Sequence, residues 1–343
     1  MNKTSKLNAA VIGFGYWGPN IARNLVAHEN FDLKYICDSS PNSRKQAVQK
    51  YPQIKIISCC KNIFSDQSII AVFIATPPST HFALAKEALI AGKHVLVEKP
   101  LACTSLECRE LIELAQKKGC SLMVDHTFAY TGAVRKMREL STSSIGNLLY
   151  YDSVRINLGL FQRDVNVLWD LAVHDLAILD NICNLSPVSV SATGHAHVDG
   201  YPCNSAYLTL FYNESFIAHI HCSWMAPVKI RKTLLGGSQK MIVYDDLEPT
   251  EKVKVYDKGI TINPTSEEMY DLRVDYRSAD IFIPNLDTKE ALGLMLDEFS
   301  KSIYLGSSPL TDAKSGLRIV SILEAADLSL SQNGKPVDLQ LFD

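Results

Sequence analysis

The chain lacks any apolar run approaching the roughly 18 residues that a membrane-crossing helix requires. Its first residues, Met1-Asn2-Lys3-Thr4-Ser5-Lys6, are polar. The apolar stretch behind them is broken by glycines too early to serve as the hydrophobic region of a signal peptide. These absences lead us to expect a cytoplasmic protein with no membrane partner. An excess of one charge is missing too: 34 basic against 37 acidic residues leave a formal net charge of -3. No broad basic field is available for nucleic acid or an anionic surface, so the expected partner is a small molecule. Cysteine motifs are absent as well. The nine cysteines are odd in number, Cys59 and Cys60 are adjacent, and Cys103 and Cys108 do not form a CxxC pair. Reduced thiols are expected rather than a disulfide framework or a zinc site. His195 with His197, and His219 with His221, have the spacing that puts a pair on one strand face. No acidic or cysteine partner accompanies them, so no metal is expected. Internal repeats, low-complexity tracts and long linkers are also missing.

What is present is a chain of 343 residues, 47% of them hydrophobic, which is room enough for two cored domains. Up to residue 126, short apolar runs alternate with helical patterns, the arrangement of βαβ units around a parallel sheet. The runs Ala9 to Ile12, Leu33 to Cys37, Ile54 to Ile57, Ile69 to Ala75, His94 to Val97 and Ser121 to Val124 read as strands. Their continuous apolar character suits burial on both faces. Pro19 to Ala27 reads as a helix. Thr104 and Glu107 form a capping box ahead of another, which Gly119 ends, and Gly92 closes the helix that starts near Thr80.

Beyond residue 126 the texture changes. A helix over Gly132 to Leu140 precedes a strand-like run, Leu148 to Leu158, and then a long helix over Val167 to Cys183. Alternating segments follow at Val188 to His197, Ala206 to Tyr212, Phe216 to Trp224, Ile230 to Tyr244 and Lys252 to Tyr256. Successive strands without helices between them predict a large, mostly antiparallel sheet. Helical patterns over Thr288 to Leu305 and Ala313 to Gln332 complete the chain. The expected fold class is α/β plus α+β: a doubly wound Rossmann sheet over residues 1–126, then an α+β domain over 127–343 for substrate binding and oligomerisation.

The first strand runs into Gly13-Phe14-Gly15-Tyr16-Trp17-Gly18, a GxGxxG pattern opening a helix. Gly13 permits the tight turn, Gly15 lets backbone approach a pyrophosphate, and Gly18 allows close helix packing. Pro19 suits the first helical turn, whose N-terminus would face the phosphates. Alone the pattern is weak, since a glycine-rich turn reads the same way. Its context adds Asp38 at the end of the next strand, where a carboxylate accepts from ribose hydroxyls and repels a 2′-phosphate. NAD is therefore expected over NADP, although Arg44 is close enough in sequence to tolerate a phosphate. The plain alternative for Asp38 is a turn residue before Ser39-Ser40-Pro41.

Three further segments fall at the carboxyl ends of strands or on a helix. Ile74-Ala75-Thr76-Pro77-Pro78-Ser79-Thr80-His81 follows the fourth strand, Glu98-Lys99-Pro100 ends the fifth, and Asp170-Leu171-Ala172-Val173-His174 lies in a helical pattern. The carboxyl edge is where a doubly wound sheet builds its site, which makes Thr76, Pro77, His81, Glu98 and Lys99 candidates for cofactor contact. Asp170 and His174 share one helical face. In order and spacing these motifs resemble the Gfo/Idh/MocA family of sugar and polyol oxidoreductases, over essentially the whole chain. The resemblance implies that Lys99, Asp170 and His174 form the catalytic group, that Lys99-Pro100 is a cis peptide, and that the protein is a homodimer or homotetramer.

The residue types suit hydride chemistry. Removing the hydroxyl proton of an alcohol is work for a neutral histidine, His174. Lys99 supplies positive charge to the reacting oxygen, and Asp170 orients the imidazole or the substrate. Arg155, Asn157 and Arg163 precede the catalytic helix and are candidates, with Lys99 and His174, for substrate contact; salt bridges to Asp152 or Asp164 are the plain alternative. Trp169 is open between stacking on a ligand and a core role. The stretches GFGYWGPN and WDLAVHDLAILD resemble the branch of the family that modifies nucleotide-linked sugars for surface polysaccharide and lipid A. UDP-N-acetylglucosamine, oxidised at C3, is the substrate this resemblance implies. An NAD-dependent glycoside hydrolase of the same fold and a non-catalytic NAD-sensing regulator remain as alternatives.

Overall fold

The computed structural model describes residues 6–159, 161–257, 259–262, 274–277 and 280–339, so the polar segment Met1 to Ser5 lies outside the described residues. The chain divides into two compact units, Met1–Tyr130 with Lys289–Ser321, and Thr131–Thr288 with Ile322–Asp343.

In the first unit strands and helices alternate: β1 (Leu7–Ile12), α1 (Gly18–Ala27), β2 (Phe31–Cys37), α2 (Pro41–Lys50), β3 (Lys55–Ile57), α3 (Lys61–Ser65), β4 (Ala71–Ile74), α4 (His81–Ile90), β5 (His94–Glu98), α5 (Ser105–Lys118) and β6 (Leu122–Asp125). The six strands pair in parallel in the order β3-β2-β1-β4-β5-β6. The order reverses between β1 and β4, the switch point at which such sheets open a crevice beyond their carboxyl ends. All six runs expected from the sequence are strands, with ends shifted by one or two residues. The capping box on α5 is formed in both directions, and Gly119 stops that helix at φ +65°.

The first unit also takes in the helix Ala291–Leu305, for a visible reason. Phe299 from that helix meets Phe31 of β2 and Phe73 of β4, with ring centroids 6.2 and 5.5 Å away, and Phe31 meets Phe73 edge-on at 5.4 Å. All three are buried. At about 1.5–3 kcal/mol for a large side chain withdrawn from water, Phe299 helps attach the late helix together with Leu292, Met295 and Leu296, which are buried in the same core.

The second unit carries α6 (Gly132–Ser143), β7 (Leu148–Leu158), α7 (Val173–Ile182), β8 (Ser189–His195), β9 (Ser205–Phe211), β10 (Ile217–Ser223), β11 (Met225–Gly237), β12 (Met241–Asp245) and β13 (Val253–Tyr256). Its nine-stranded sheet runs from Ile281–Phe282 through β13, β12, β11, β7, β10, β9 and β8 to Val337–Asp338. Every pairing is antiparallel except β7 with β10, which is parallel. The expected single run Ile230 to Tyr244 is in fact the end of β11, a tight turn and β12. Gly236 and Gly237 end β11 where neighbours press close: a Cβ on Gly236 would lie 2.1 Å from the Tyr150 ring, and one on Gly237 2.3 Å from the Ile145 carbonyl oxygen. No helix among the described residues is long and apolar enough to cross a membrane.

Candidate active site

The glycine-rich loop follows β1 at the switch point and is built by close approach. Gly13 has φ +98°, and a Cβ there would sit 2.3 Å from the Ala75 carbonyl oxygen. A Cβ on Gly18 would lie 2.1 Å from the carbonyl oxygen of Gly13. Gly15 is the opposite case, with nothing within 4 Å of where its Cβ would stand. Two glycines thus close the loop and the third leaves open space beside its backbone, at the start of a helix. This is the cradle a pyrophosphate requires.

Asp38 follows the last residue of β2. Its Oδ2 accepts from the Phe14 backbone N–H at 2.6 Å and its Oδ1 from that of Ser40 at 2.7 Å. The carboxylate thereby fixes the second residue of the loop and keeps lone pairs for ribose hydroxyls. Arg44 turns its Nη1 back to the carbonyl oxygens of Asp38 and Ser39, 2.8 Å from each. These residues fit NAD: an acceptor stands where the adenosine ribose belongs, and the nearby guanidinium donates to backbone.

Two loop side chains are placed otherwise than expected. Phe14 is buried against Tyr51, ring centroids 6.2 Å apart, so only its backbone remains for a cofactor. Trp17 is half-buried and its indole N–H donates to Asp125 Oδ2 at 2.7 Å. Tyr16, by contrast, is 95% exposed.

At the carboxyl end of β4, Thr76 and Pro77 precede a short turn in which Thr80 donates its hydroxyl to Thr76 Oγ1 at 2.7 Å. His81 corrects the sequence reading. It is fully buried, with Nδ1 2.7 Å from the Pro100 carbonyl oxygen and Nε2 2.8 Å from that of Thr76. Burial pushes its pKa below the ordinary value, against the pull of the two carbonyls, and the Lys99 charge lowers it further. A ring so enclosed cannot touch a dinucleotide; it ties the ends of β4 and β5 together. Glu98 ends β5, half-buried Lys99 follows it, and the Lys99-Pro100 peptide is cis as the resemblance implied.

In the second unit, Asp170 and His174 lie on a helical segment, but not on one uninterrupted α-helix. Leu168–Ala172 forms a π-helical turn and α7 begins at Val173. The wider turn, a feature frequent at functional sites, keeps the two residues about one turn apart. The turn is anchored from three sides. Asn166 Oδ1 accepts from the Leu168 N–H at 2.9 Å, Asp327 accepts from Asn166 Nδ2 at 2.6 Å and from Trp169 Nε1 at 2.7 Å, and Trp224 donates its indole N–H to Asp170 Oδ2 at 3.0 Å. Trp169 therefore serves as a structural donor.

Arg155 is the second correction. It is not at a substrate surface but buried, and its partner is Asp175 rather than Asp152 or Asp164: Nε lies 2.5 Å from Oδ2 and Nη2 3.2 Å from Oδ1. Burial opposes the guanidinium charge, but the Asp175 carboxylate outweighs it and holds the Arg155 pKa above its ordinary value. Asn157 is half-buried on the same strand. Arg163 is exposed, with its guanidinium 5.2 Å from the centroid of the Tyr201 ring and two nitrogens donating to the Tyr201 hydroxyl at 3.1 and 3.2 Å.

The sequence reading missed Trp224, Asn166, Asp327 and Asp125. An asparagine ahead of a helical run is a recognised capping signal, so Asn166 was findable. The other three gave no local sign, because each acts on a residue distant in the chain.

Residues 7–126 match the model of the oxidoreductase family with an NAD-binding Rossmann fold, and residues 160–243 match the GFO/IDH/MocA C-terminal domain. The chain is 28% identical over 323 residues to UDP-N-acetylglucosamine 3-dehydrogenase of Acidithiobacillus ferrooxidans, covering 92% of this chain and 94% of that one. The solved structure of that enzyme, GnnA, superposes with a TM-score of 0.80 at 22% identity, covering 96% and 99% of the two chains. GenD2 of gentamicin A biosynthesis, solved in complex with NAD, has the same fold at a TM-score of 0.82 and 18% identity, covering 99% and 98%. The 2,7-anhydro-N-acetylneuraminate hydratase of Escherichia coli K12 is 21% identical over 96% of both chains. With a glycine cradle of open Gly15 and closed Gly13 and Gly18, and with both of its domains matched, the chain belongs to the Gfo/Idh/MocA family of NAD-binding oxidoreductases.

Proposed function

We propose that the protein oxidises a ring hydroxyl of a nucleotide-linked sugar, UDP-N-acetylglucosamine at C3 being the first candidate. The observation that carries this reading is the nearly end-to-end match to a UDP-N-acetylglucosamine 3-dehydrogenase. NAD, when bound, supplies the hydride acceptor. The chain's own groups supply the rest. Gly13, Gly15, Tyr16 and Gly18 hold the pyrophosphate, Asp38 the adenosine ribose, and Thr76, Pro77 and Glu98 line the strand ends beside it. Lys99 stabilises negative charge on the reacting oxygen. His174 takes the hydroxyl proton, and Asp170, steadied by the Trp224 indole, orients it. Asn157 and Arg163 are kept as substrate contacts; the exposed Arg163 guanidinium has the shape for a phosphate.

The test is incubation of the purified protein with NAD and a panel of UDP- and dTDP-sugars, following absorbance at 340 nm and the mass of the sugar product. NADH formed together with a sugar two mass units lighter supports the reading. Absence of both for every sugar overturns it.

The hydratase relative favours a second reading, in which oxidation is transient and the product leaves without net NADH. A changed sugar mass with no rise at 340 nm would select it, and the NAD-dependent hydrolase alternative falls under the same outcome. We place the protein in the cytoplasm and propose a homodimer or homotetramer formed through the large sheet. On that sheet Tyr207 is exposed and stacks on His221 at 4.3 Å, and His219 Nδ1 lies 3.0 Å from Thr209 Oγ1.

A further inference from the structure

Asp125 is the last residue of β6, in register with Glu98 and so one strand over from the peptide that leads into Lys99. It is buried, 3% exposed, and collects three donors. Oδ1 accepts from the Thr127 backbone N–H at 3.2 Å and from the Thr127 hydroxyl, and Oδ2 accepts from the Trp17 indole N–H at 2.7 Å. Two N–H groups and a hydroxyl around it suit an ionised carboxylate. Burial works against that charge and pushes its pKa up, while the donors and the positive charge of Lys99 pull the other way.

The Thr127 contacts are local, two residues along the chain. The Trp17 contact is not. Trp17 belongs to the glycine-rich loop after β1, and β6 is separated from β1 by β4 and β5. Three strand spacings amount to roughly 14 Å. The loop backbone and the indole together therefore bridge from β1 to β6 at the carboxyl edge of the sheet, the edge at which the dinucleotide is expected. At its other end the loop is held by Asp38 through the Phe14 N–H. Two carboxylates therefore hold the loop, one from each side of the switch point, with Gly15 and exposed Tyr16 between the anchors. A tryptophan needed only for packing would not require a buried charge as partner, because withdrawing a carboxylate from water is costly unless it is well paired.

We propose that Asp125 is a positioning residue for NAD: through the Trp17 indole it holds the glycine-rich loop in the shape that receives the pyrophosphate. The inference rests on the NAD-binding assignment and not on the identity of the sugar. Its test therefore needs no turnover.

NAD affinity is measured by titration calorimetry on wild type, Trp17→Phe, Asp125→Asn, Asp125→Ala and the Trp17→Phe/Asp125→Ala double variant. A hydrogen bond to a charged group is worth enough for its loss to weaken NAD about tenfold. Trp17→Phe and Asp125→Ala should each show that loss. Asp125→Asn keeps an acceptor for the indole while its amide nitrogen faces the Thr127 hydroxyl, which can turn to accept, so NAD affinity should fall clearly less than in Asp125→Ala. The double variant should bind no more weakly than the worse single, because both remove one interaction. In the NAD-free protein, hydrogen exchange at Phe14 to Trp17 should quicken in Trp17→Phe and not in Asp125→Asn. Wild-type affinity in Trp17→Phe, losses that multiply in the double variant, or Asp125→Asn as weak as Asp125→Ala would overturn the proposal. Should Asp125→Ala fail to fold, the contrast between Trp17→Phe and Asp125→Asn decides alone.

Discussion

The guanidinium of Arg155 and the carboxylate of Asp175 meet inside the second unit as a two-point pair, each side chain only 3% exposed. Asp175 directly follows His174, and its backbone carbonyl accepts from the Tyr151 hydroxyl at 3.2 Å. The strand that carries Arg155 and Tyr151 therefore grips the first turn of α7. Removing one partner strands the other charge in the interior, a cost of about 3–5 kcal/mol, whereas replacing both by apolar residues is close to neutral. Asp175→Asn and Arg155→Met alone should each lower the unfolding free energy by that amount in urea titrations. Arg155→Met/Asp175→Leu should recover most of it. Losses that simply add in the double variant would show that the two do not act as a pair.

Glycines 13 and 15 should separate folding from cofactor binding. Gly13→Ala forces a side chain into positive φ and into the Ala75 carbonyl, so the fold itself should suffer, by more than about 1 kcal/mol. Gly15→Ala meets open space, and its melting temperature should hold or rise slightly while NAD affinity falls at least tenfold (about 1.4 kcal/mol). Thermal melts beside calorimetry read both, and unchanged NAD affinity in Gly15→Ala would remove the pyrophosphate from this loop.

Lys99→Ala should lower turnover by roughly 10²–10⁴-fold, the usual weight of a positioned charge or proton-transfer group, with NAD affinity largely kept. Steady-state kinetics with the identified sugar make the check. Near-normal turnover would take Lys99 out of the chemistry.

His94 gives a pH dependence with a definite sign. Its Nδ1 accepts from the Ser121 N–H at 2.9 Å, so the folded protein holds this nitrogen unprotonated, and burial lowers the pKa below 6.5. Below pH 6.5 the unfolded chain binds the proton more readily than the folded one. This contribution to stability is therefore present above pH 6.5 and is lost as the pH falls toward the lower folded value. His94→Asn retains an acceptor and does not titrate. Its unfolding free energy should fall less than that of wild type between pH 7.5 and 5; identical slopes would remove His94 as a source of the acid sensitivity.

The fold was legible because strands buried on both faces are written as continuous apolar runs, and because Thr104, Glu107 and Gly119 mark helix ends locally. The glycine loop was legible for the same reason: close approach demands glycine at fixed spacing. What escaped the sequence depends on distant partners. His81 looked like a strand-end ligand until Thr76 and Pro100 were seen to enclose it. Arg155 looked like a substrate contact because nothing in its neighbourhood announces Asp175, twenty residues on. The π-turn before α7 was hidden too, since Val167 to Cys183 keeps an apolar pattern compatible with an unbroken helix.

The parallel pairing of β7 with β10 at the middle of the large sheet bears on how this protein acquires its site. Antiparallel neighbours can zip from a turn, but this pair closes only after the whole stretch from Gly159 to Phe216 has been looped out. That stretch contains the turn and helix bearing Asp170 and His174. Closure of so long a loop is entropically slow, and contacts distant along the chain delay folding. The helix should therefore settle late, and a nascent chain released before β10 has been synthesised would have no central strand against which to fix it.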